Sequence, residues 1–209
     1  MRELEAGPAG AADTVDDHPA PAAAATRRTR FRSLVEWAVL AVAAVLAATA
    51  IQHWVIQVYE IPSESMVPTL LIGDRVAVNK LAYAIGGGVE RGDVVVFHRP
   101  RSEVTAAPDQ APQLIKRVIG LPGDLVEARG GVVYINGKPL DETGKGYLSG
   151  DVVTNNIPTA VKVAPRTVFV MGDNRERSRD SRFFGSIPES SIIGRAVAIA
   201  WPPRRWGSL

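Results

Sequence analysis

The feature that most restricts this sequence is the run from Trp37 to Ile51, 15 residues in which Thr49 alone is polar. As a helix it extends roughly 22 Å, short of the ~30 Å hydrocarbon core of a bilayer. Extended from Leu34 to Val58 it reaches roughly 37 Å and spans that core with some tilt. Glu36 then falls near one interface, and Gln52, His53 and Gln57 near the other. Trp37, Trp54 and Tyr59 suit the two headgroup belts. Arg27, Arg28, Arg30 and Arg32 precede the run, and no Lys or Arg follows until Arg75. The positive-inside rule then keeps the N-terminus cytoplasmic and puts residues 59–209 outside. A buried core helix and a cleaved signal peptide, with Ala48-Thr49-Ala50 as its small-residue site, are the competing readings.

The flanks differ in composition. Residues 1–26 hold nine Ala and three Pro with scattered acids and almost no large apolar side chains. Such a stretch cannot bury enough surface to offset its ordering entropy, so residues 1–32 are expected to form a disordered cytoplasmic tail. The predicted transmembrane helix covers 33–58. The remainder, 59–209, reads as an extracytoplasmic β domain with a small β extension around 136–166.

Short Val- and Ile-rich runs support the β reading: Arg75–Lys80, Asp93–His98, Leu114–Gly120, Asp124–Glu127, Val132–Ile135, Thr167–Met171 and Gly194–Trp201. Gly-Asp recurs at 73–74, 92–93, 123–124, 150–151 and 172–173, at or near the ends of such runs. Gly supplies turn dihedrals and Asp bonds its own backbone, so these pairs read as turns. Asn136-Gly137 is a hairpin signal. The Pro- and Ala-rich stretch 99–113 reads as a loop.

Composition removes several chemistries. Cysteine is absent, which excludes disulfides, thiolate metal sites and thiol nucleophiles. The three histidines, His18, His53 and His98, lie far apart, so no metal site is expected. A formal net charge of +2 gives no support to nucleic-acid binding. A hydrolase built from this chain must activate its nucleophile without imidazole. His98, at a strand end beside Arg99-Pro100, is a poor base.

Three segments carry candidate chemistry. Ile61-Pro62-Ser63-Glu64-Ser65-Met66-Val67-Pro68-Thr69-Leu70 holds two hydroxyls two residues apart between rigid prolines. The same pattern also suits a plain Pro/Ser turn. In Leu114–Asp124, strand alternation puts Leu114, Lys116 and Val118 on one face and Ile115, Arg117 and Ile119 on the other. A lysine between apolar neighbours loses solvation, which lowers its pKa and fits it for general-base work. The competing reading is an edge-strand lysine that blocks aggregation. The third segment, Met171–Gly185, is a polar loop whose arginines interleave with acids; a solvated surface loop is its plain reading.

Together these segments resemble the bacterial type I signal peptidases, membrane-bound Ser/Lys proteases of peptidase family S26 that remove signal peptides from exported precursors. The resemblance rests on the N-terminal anchor, Ile61–Leu70, Gly92–Phe97, Lys116–Asp124 and Gly172–Gly185, in the family's order. It implies a mainly β fold: two antiparallel β-sheet domains, a large catalytic core and a small inserted extension, behind one transmembrane helix. It implies Ser65 as nucleophile and Lys116 as general base. Ser63, with the Ser65 N–H, would form the oxyanion hole, and Ser178 would orient the lysine. Asp180, Arg182 and Arg117 would support the site through ionic contacts. Ile61, Pro62, Met66, Leu70, Val76, Leu114 and Ile115 would line shallow pockets for Ala-like side chains. No cofactor is implied. The implied partners are precursor proteins and a phospholipid bilayer, with the enzyme a monomer. Glu64 departs from the pattern, since many members have Gly there; it is expected to point away from the dyad. The region between Gly130 and Arg166 is shorter than the insertion some members carry. The alternative to an enzyme is a non-catalytic, membrane-anchored β domain acting as a binding or scaffold module.

Overall fold

The computed structural model describes residues 22–84, 87–106, 111–142, 154 and 157–209. The tail expected over 1–32 lies outside the described residues as far as residue 21, as does the Gly150-Asp151 turn. The first element is helix α1, Ala22–Trp54. Its described apolar side chains, among them Val35, Trp37, Val39, Val42 and Leu46, are exposed. Among the described residues, no helix is long and apolar enough to cross a membrane.

The helix expected to run to 58 stops at Trp54, because Ile56–Glu60 is strand β1. Ile56 and Val58 continue the apolar composition of the helix, but they pair with Asn79 and Ala77 of β2, Arg75–Asn79. The chain continues through β3, Val94–His98, a short helix α2, Arg101–Ala106, and β4, Gln113–Gly120. Next come β5, Leu125–Arg129, β6, Val132–Ile135, β7, Lys138–Pro139, and β8, Ile157–Lys162. The last elements are β9, Thr167–Met171, helix α3, Ser181–Phe184, β10, Ile187–Pro188, β11, Ile192–Trp201, and β12, Gly207–Ser208. The stretch 99–113, read as a loop, contains α2 and the first residue of β4.

Two antiparallel sheets result. The larger has the order β1-β2-β11-β3-β4-β9-β10, with β12 on β11; the smaller has the order β7-β6-β5-β8. The seven apolar runs of the sequence all fall in strands. β3 is buried along Val94–Phe97, as a strand flanked on both edges and covered on both faces must be.

The two sheets are not separate domains. Residues 48–209 form one compact unit. One core group joins them: Ile119, Phe169 and Met171 of the larger sheet pack with Val126, Val133 and Ile135 of the smaller. The extension expected around 136–166 is therefore a sheet beginning at Leu125 that shares its core with β4 and β9. A second core group, including Ile61, Met66, Leu70, Val76 and Val96, lies under the Ser-x-Ser segment.

Three Gly-Asp pairs are turns of one design. Gly73, Gly92 and Gly123 have φ of 85°, 100° and 89°, the region open to glycine. Asp74, Asp93 and Asp124 each accept the N–H three residues back, from Leu71, Glu90 and Leu121 at 2.8, 3.0 and 2.7 Å. Asn136 and Gly137, at φ 53° and 78°, make the β6–β7 hairpin turn. Gly172-Asp173 differs. Asp173 holds a buried arginine and belongs to the site.

Candidate active site

The Ser-x-Ser segment is fixed from below. Ile61 and Met66 are buried in the core on either side of it, and Glu64–Met66 forms a single 3-10 turn. Asn174 holds this turn from the 172–180 loop: its N–H donates to Ser65 O at 3.1 Å and its Nδ2 to Glu64 O at 3.2 Å. Ser65 is thereby held with its side chain facing a cleft of about 400 Å³ lined by Pro62, Ser63, Leu114, Ile115 and Lys116.

Lys116 comes from the other side. β4 is an interior strand, hydrogen-bonded to β3 and β9, which removes the edge-strand reading of this lysine. Its side chain is buried, and Nζ donates to Ser65 Oγ at 2.7 Å and to Ile115 O at 2.9 Å. Ser63 Oγ lies 3.3 Å from Ser65 Oγ. Burial lowers the Lys116 pKa to about 8. The carboxylates of Asp180 and Asp173 pull it upward, and Arg182 opposes them. Desolvation dominates because each carboxylate is already neutralised by its own arginine.

Those two ion pairs frame the Ser65–Lys116 contact. Arg117 makes a two-pronged contact with Asp173, Nε to Oδ1 at 2.8 Å and Nη2 to Oδ2 at 2.7 Å. Arg117 also donates to Gly92 O at 2.9 Å, and Thr69 Oγ1 donates to Asp173 Oδ2 at 2.5 Å. Asp180 is fully buried and accepts Arg182 Nε and Nη2, both at 2.8 Å. It also accepts the Gly172 N–H at 3.0 Å and caps α3 through the Arg182 N–H.

The expected bond between Ser178 and Lys116 is not formed. Ser178 Oγ is buried without a hydrogen-bond partner, while Nζ turns to the Ile115 carbonyl. Ser178 nevertheless adjoins the Ser-x-Ser segment through Gly172. A Cβ at Gly172 would lie 2.2 Å from Ser178 Oγ and 2.4 Å from Ser65 O, so only glycine fits between them. Glu64 points away from the dyad as expected: its carboxylate meets Arg177 at 2.9 and 3.1 Å on the surface.

The pocket residues divide. Pro62, Leu114 and Ile115 line the cleft; these three and Ile61 line a smaller adjoining recess of about 70 Å³. Met66, Leu70 and Val76 do not line either, because their side chains are wholly enclosed in the core beneath. Ala111 and Gln113 take the vacated places in the lining. Sequence reasoning also passed over Asp173, Asn174 and Arg175. Arg175 is buried, donating to Gly172 O at 3.0 Å and Thr154 Oγ1 at 2.7 Å and pairing with Glu142. The signal available was Arg117 itself: an arginine facing inward on an apolar strand requires a carboxylate, and Met171–Gly185 is rich in them.

This arrangement provides a hydroxyl beside a desolvated amine at the floor of an apolar cleft, which is the requirement for acyl transfer without histidine. Among the described residues no cluster of acids or histidines is arranged to hold a metal.

Comparison with known proteins gives the family. The family model described as "Signal peptidase, peptidase S26" matches residues 34–201. A signal peptidase I of Leptolyngbya laminosa is 42% identical over 165 residues, 79% of this chain and 78% of that protein. A probable signal peptidase I-1 of Synechocystis is 41% identical over 81% of this chain and 84% of the relative. Signal peptidase IB of Staphylococcus aureus is 38% identical over 82% and 91%. A solved signal peptidase I from Enterococcus faecalis matches at 33% identity and TM-score 0.40, over 52% of this chain and 97% of that one. The chain belongs to the signal peptidase family, peptidase S26, and is a hydrolase of the serine endopeptidase class.

Proposed function

We propose that this protein cleaves signal peptides from exported precursors with a Ser65–Lys116 dyad. The observation that carries this reading is the 2.7 Å contact between Lys116 Nζ and Ser65 Oγ, with the lysine buried and its pKa brought to about 8. Once the amine is neutral, the same contact lets the Ser65 hydroxyl donate to Nζ. Lys116 takes that proton as Oγ bonds to the scissile carbonyl carbon. It returns the proton to the leaving amine as the C–N bond breaks. Water, deprotonated by the same lysine, then hydrolyses the acyl-enzyme. The Ser63 hydroxyl and the Ser65 N–H hold the oxyanion.

The cleft and its small recess fit two small apolar side chains, as in Ala-x-Ala sites. Asp180, Arg182, Arg117 and Ser178 keep the dyad in register. The N-terminal apolar segment anchors the chain in a bilayer, with the N-terminus cytoplasmic and the β domain outside. The apolar composition of Trp37–Ile51 and the four arginines that precede it support that reading. The dyad lies within one chain, as a monomeric enzyme requires.

The test uses the full chain in detergent with several unrelated precursors, beside Ser65→Ala. Cleavage after small residues by the wild type, abolished in Ser65→Ala, is expected. Undiminished cleavage by Ser65→Ala would remove the dyad.

Two further results follow from the geometry. Activity requires neutral Lys116, so kcat/KM should fall about tenfold per pH unit below about pH 8 and level off above it. A profile flat down to pH 5 contradicts a lysine base. Ser63→Ala should lower kcat by about 10²–10³-fold with little change in substrate binding, because that donor acts on the transition state. A rise in KM at unchanged kcat would place Ser63 in substrate binding instead.

A further inference from the structure

Arg179 stands between Ser178 and Asp180, and its side chain leaves the site altogether. Its Nε and Nη2 donate to Glu103 Oε2 and Oε1 at 2.6 and 3.0 Å, a two-pronged contact. The guanidinium also lies 5.4 Å from the centre of the Phe183 ring on α3, which helps set its direction. The two ends of this pair differ in environment. The Arg179 side chain is 61% exposed, but that of Glu103 is 7% exposed. Glu103 is therefore a carboxylate drawn out of water on a six-residue helix, with Arg179 laid across it.

The consequence lies in what α2 is attached to. Helix α2 belongs to the segment that leads into the cleft wall, where Ala111, Gln113 and Leu114 line both the cleft and the smaller recess. That segment is closed at its base, where the buried Arg99 donates its N–H to Pro112 O at 2.9 Å. The Glu103–Arg179 contact thus ties α2, which joins the cleft wall through the Arg99–Pro112 base, to the loop that carries Ser178 and Asp180. Lys116 does not depend on it, because Asp180 keeps Arg182 and Asp173 keeps Arg117.

We propose that Arg179 and Glu103 are positioning residues for substrate recognition: they hold the cleft wall against the catalytic loop, and their loss weakens substrate binding while the dyad continues to work. The proposal rests on the dyad reading above. It separates two effects. A general loss of folded enzyme lowers apparent kcat at constant KM, whereas a displaced wall raises KM at constant kcat.

The experiment measures kcat, KM and the pH profile on one precursor for the full chain in detergent, for Arg179→Ala, Glu103→Gln, both together, and Arg179→Lys. Expected for Arg179→Ala and for Glu103→Gln is a rise in KM of about tenfold, with kcat within about twofold and the acidic limb unmoved. The double variant should resemble either single one, because the two remove the same contact. Arg179→Lys, which keeps the charge but lacks the two-pronged geometry, should recover part of the loss. Unchanged KM, a fall in kcat alone, additive single effects or a shifted acidic limb would each overturn the proposal. An inactive wild type, or an active Ser65→Ala control in the same assay, would instead overturn the dyad reading.

Discussion

Lys116→Met should reduce precursor cleavage by at least about 10⁴-fold, within the range lost when one member of a catalytic unit is removed, and leave the β domain folded. The methionine fills nearly the same volume in the same buried position and cannot accept the Ser65 proton. Lys116→Arg should be equally inactive, since a guanidinium keeps its proton at every workable pH. The stability change has the opposite sign. The folded chain lowers the Lys116 pKa from 10.5 to about 8. Between those pH values the unfolded chain binds more protons than the folded one, so wild-type stability rises with pH across that window. Below about pH 8 the buried ammonium costs about 3 kcal/mol relative to high pH. Lys116→Met removes that cost. Its denaturant midpoint at pH 7 should exceed that of the wild type, and the rise between pH 8 and 10.5 should be lost. A less stable variant at pH 7 would mean that the Lys116 contacts, and not its desolvation, dominate.

The second large effect falls on Asp173. Its side chain is fully buried, and it balances the charge of Arg117, whose side chain is 6% exposed. Asp173→Ala takes the carboxylate from a guanidinium that water barely reaches, and should destabilise the domain by about 3–5 kcal/mol. It also frees Thr69 Oγ1 from its acceptor beside the Ser65 segment. Equilibrium unfolding in urea gives the measurement. A loss below about 1 kcal/mol would show that water or other groups solvate Arg117 in the variant. The exposed Glu64–Arg177 pair is the contrast: both ends are in water, so Glu64→Gln should leave the midpoint nearly unmoved.

Much of both sheets was legible in the sequence. The runs that became β2, β3, β4 and β9 of the larger sheet and β6 of the smaller are short, rich in β-branched residues and bounded by Gly-Asp or Asn-Gly pairs. The same hydropathy misled at Ile56–Glu60, where apolar composition continues from helix into strand and only pairing with β2 sets the boundary. Strand β8, with Pro158 and Thr159 in it, has too little apolar content to stand out alone. Its place beside β5 comes from the shared core.

For the site, local sequence specified the chemical groups: two hydroxyls held between prolines, a lysine among apolar neighbours on a strand, and a polar loop dense in charge. These are properties of residue type and short spacing, which the chain carries without folding. Tertiary structure decided the rest. It enclosed Met66, Leu70 and Val76 in the core and gave the cleft lining to Ala111 and Gln113. It joined Arg117 to Asp173 across 56 positions of sequence and turned Glu64 to Arg177 across 113. It brought Lys116 to Ser65 across 51 positions and closed water away from the pair. The reason is that burial and ion pairing depend on which distant segments share a boundary, and one strand's alternation gives the face a side chain takes but not what lies opposite it. The lysine was present in the sequence; its lowered pKa exists only in the fold.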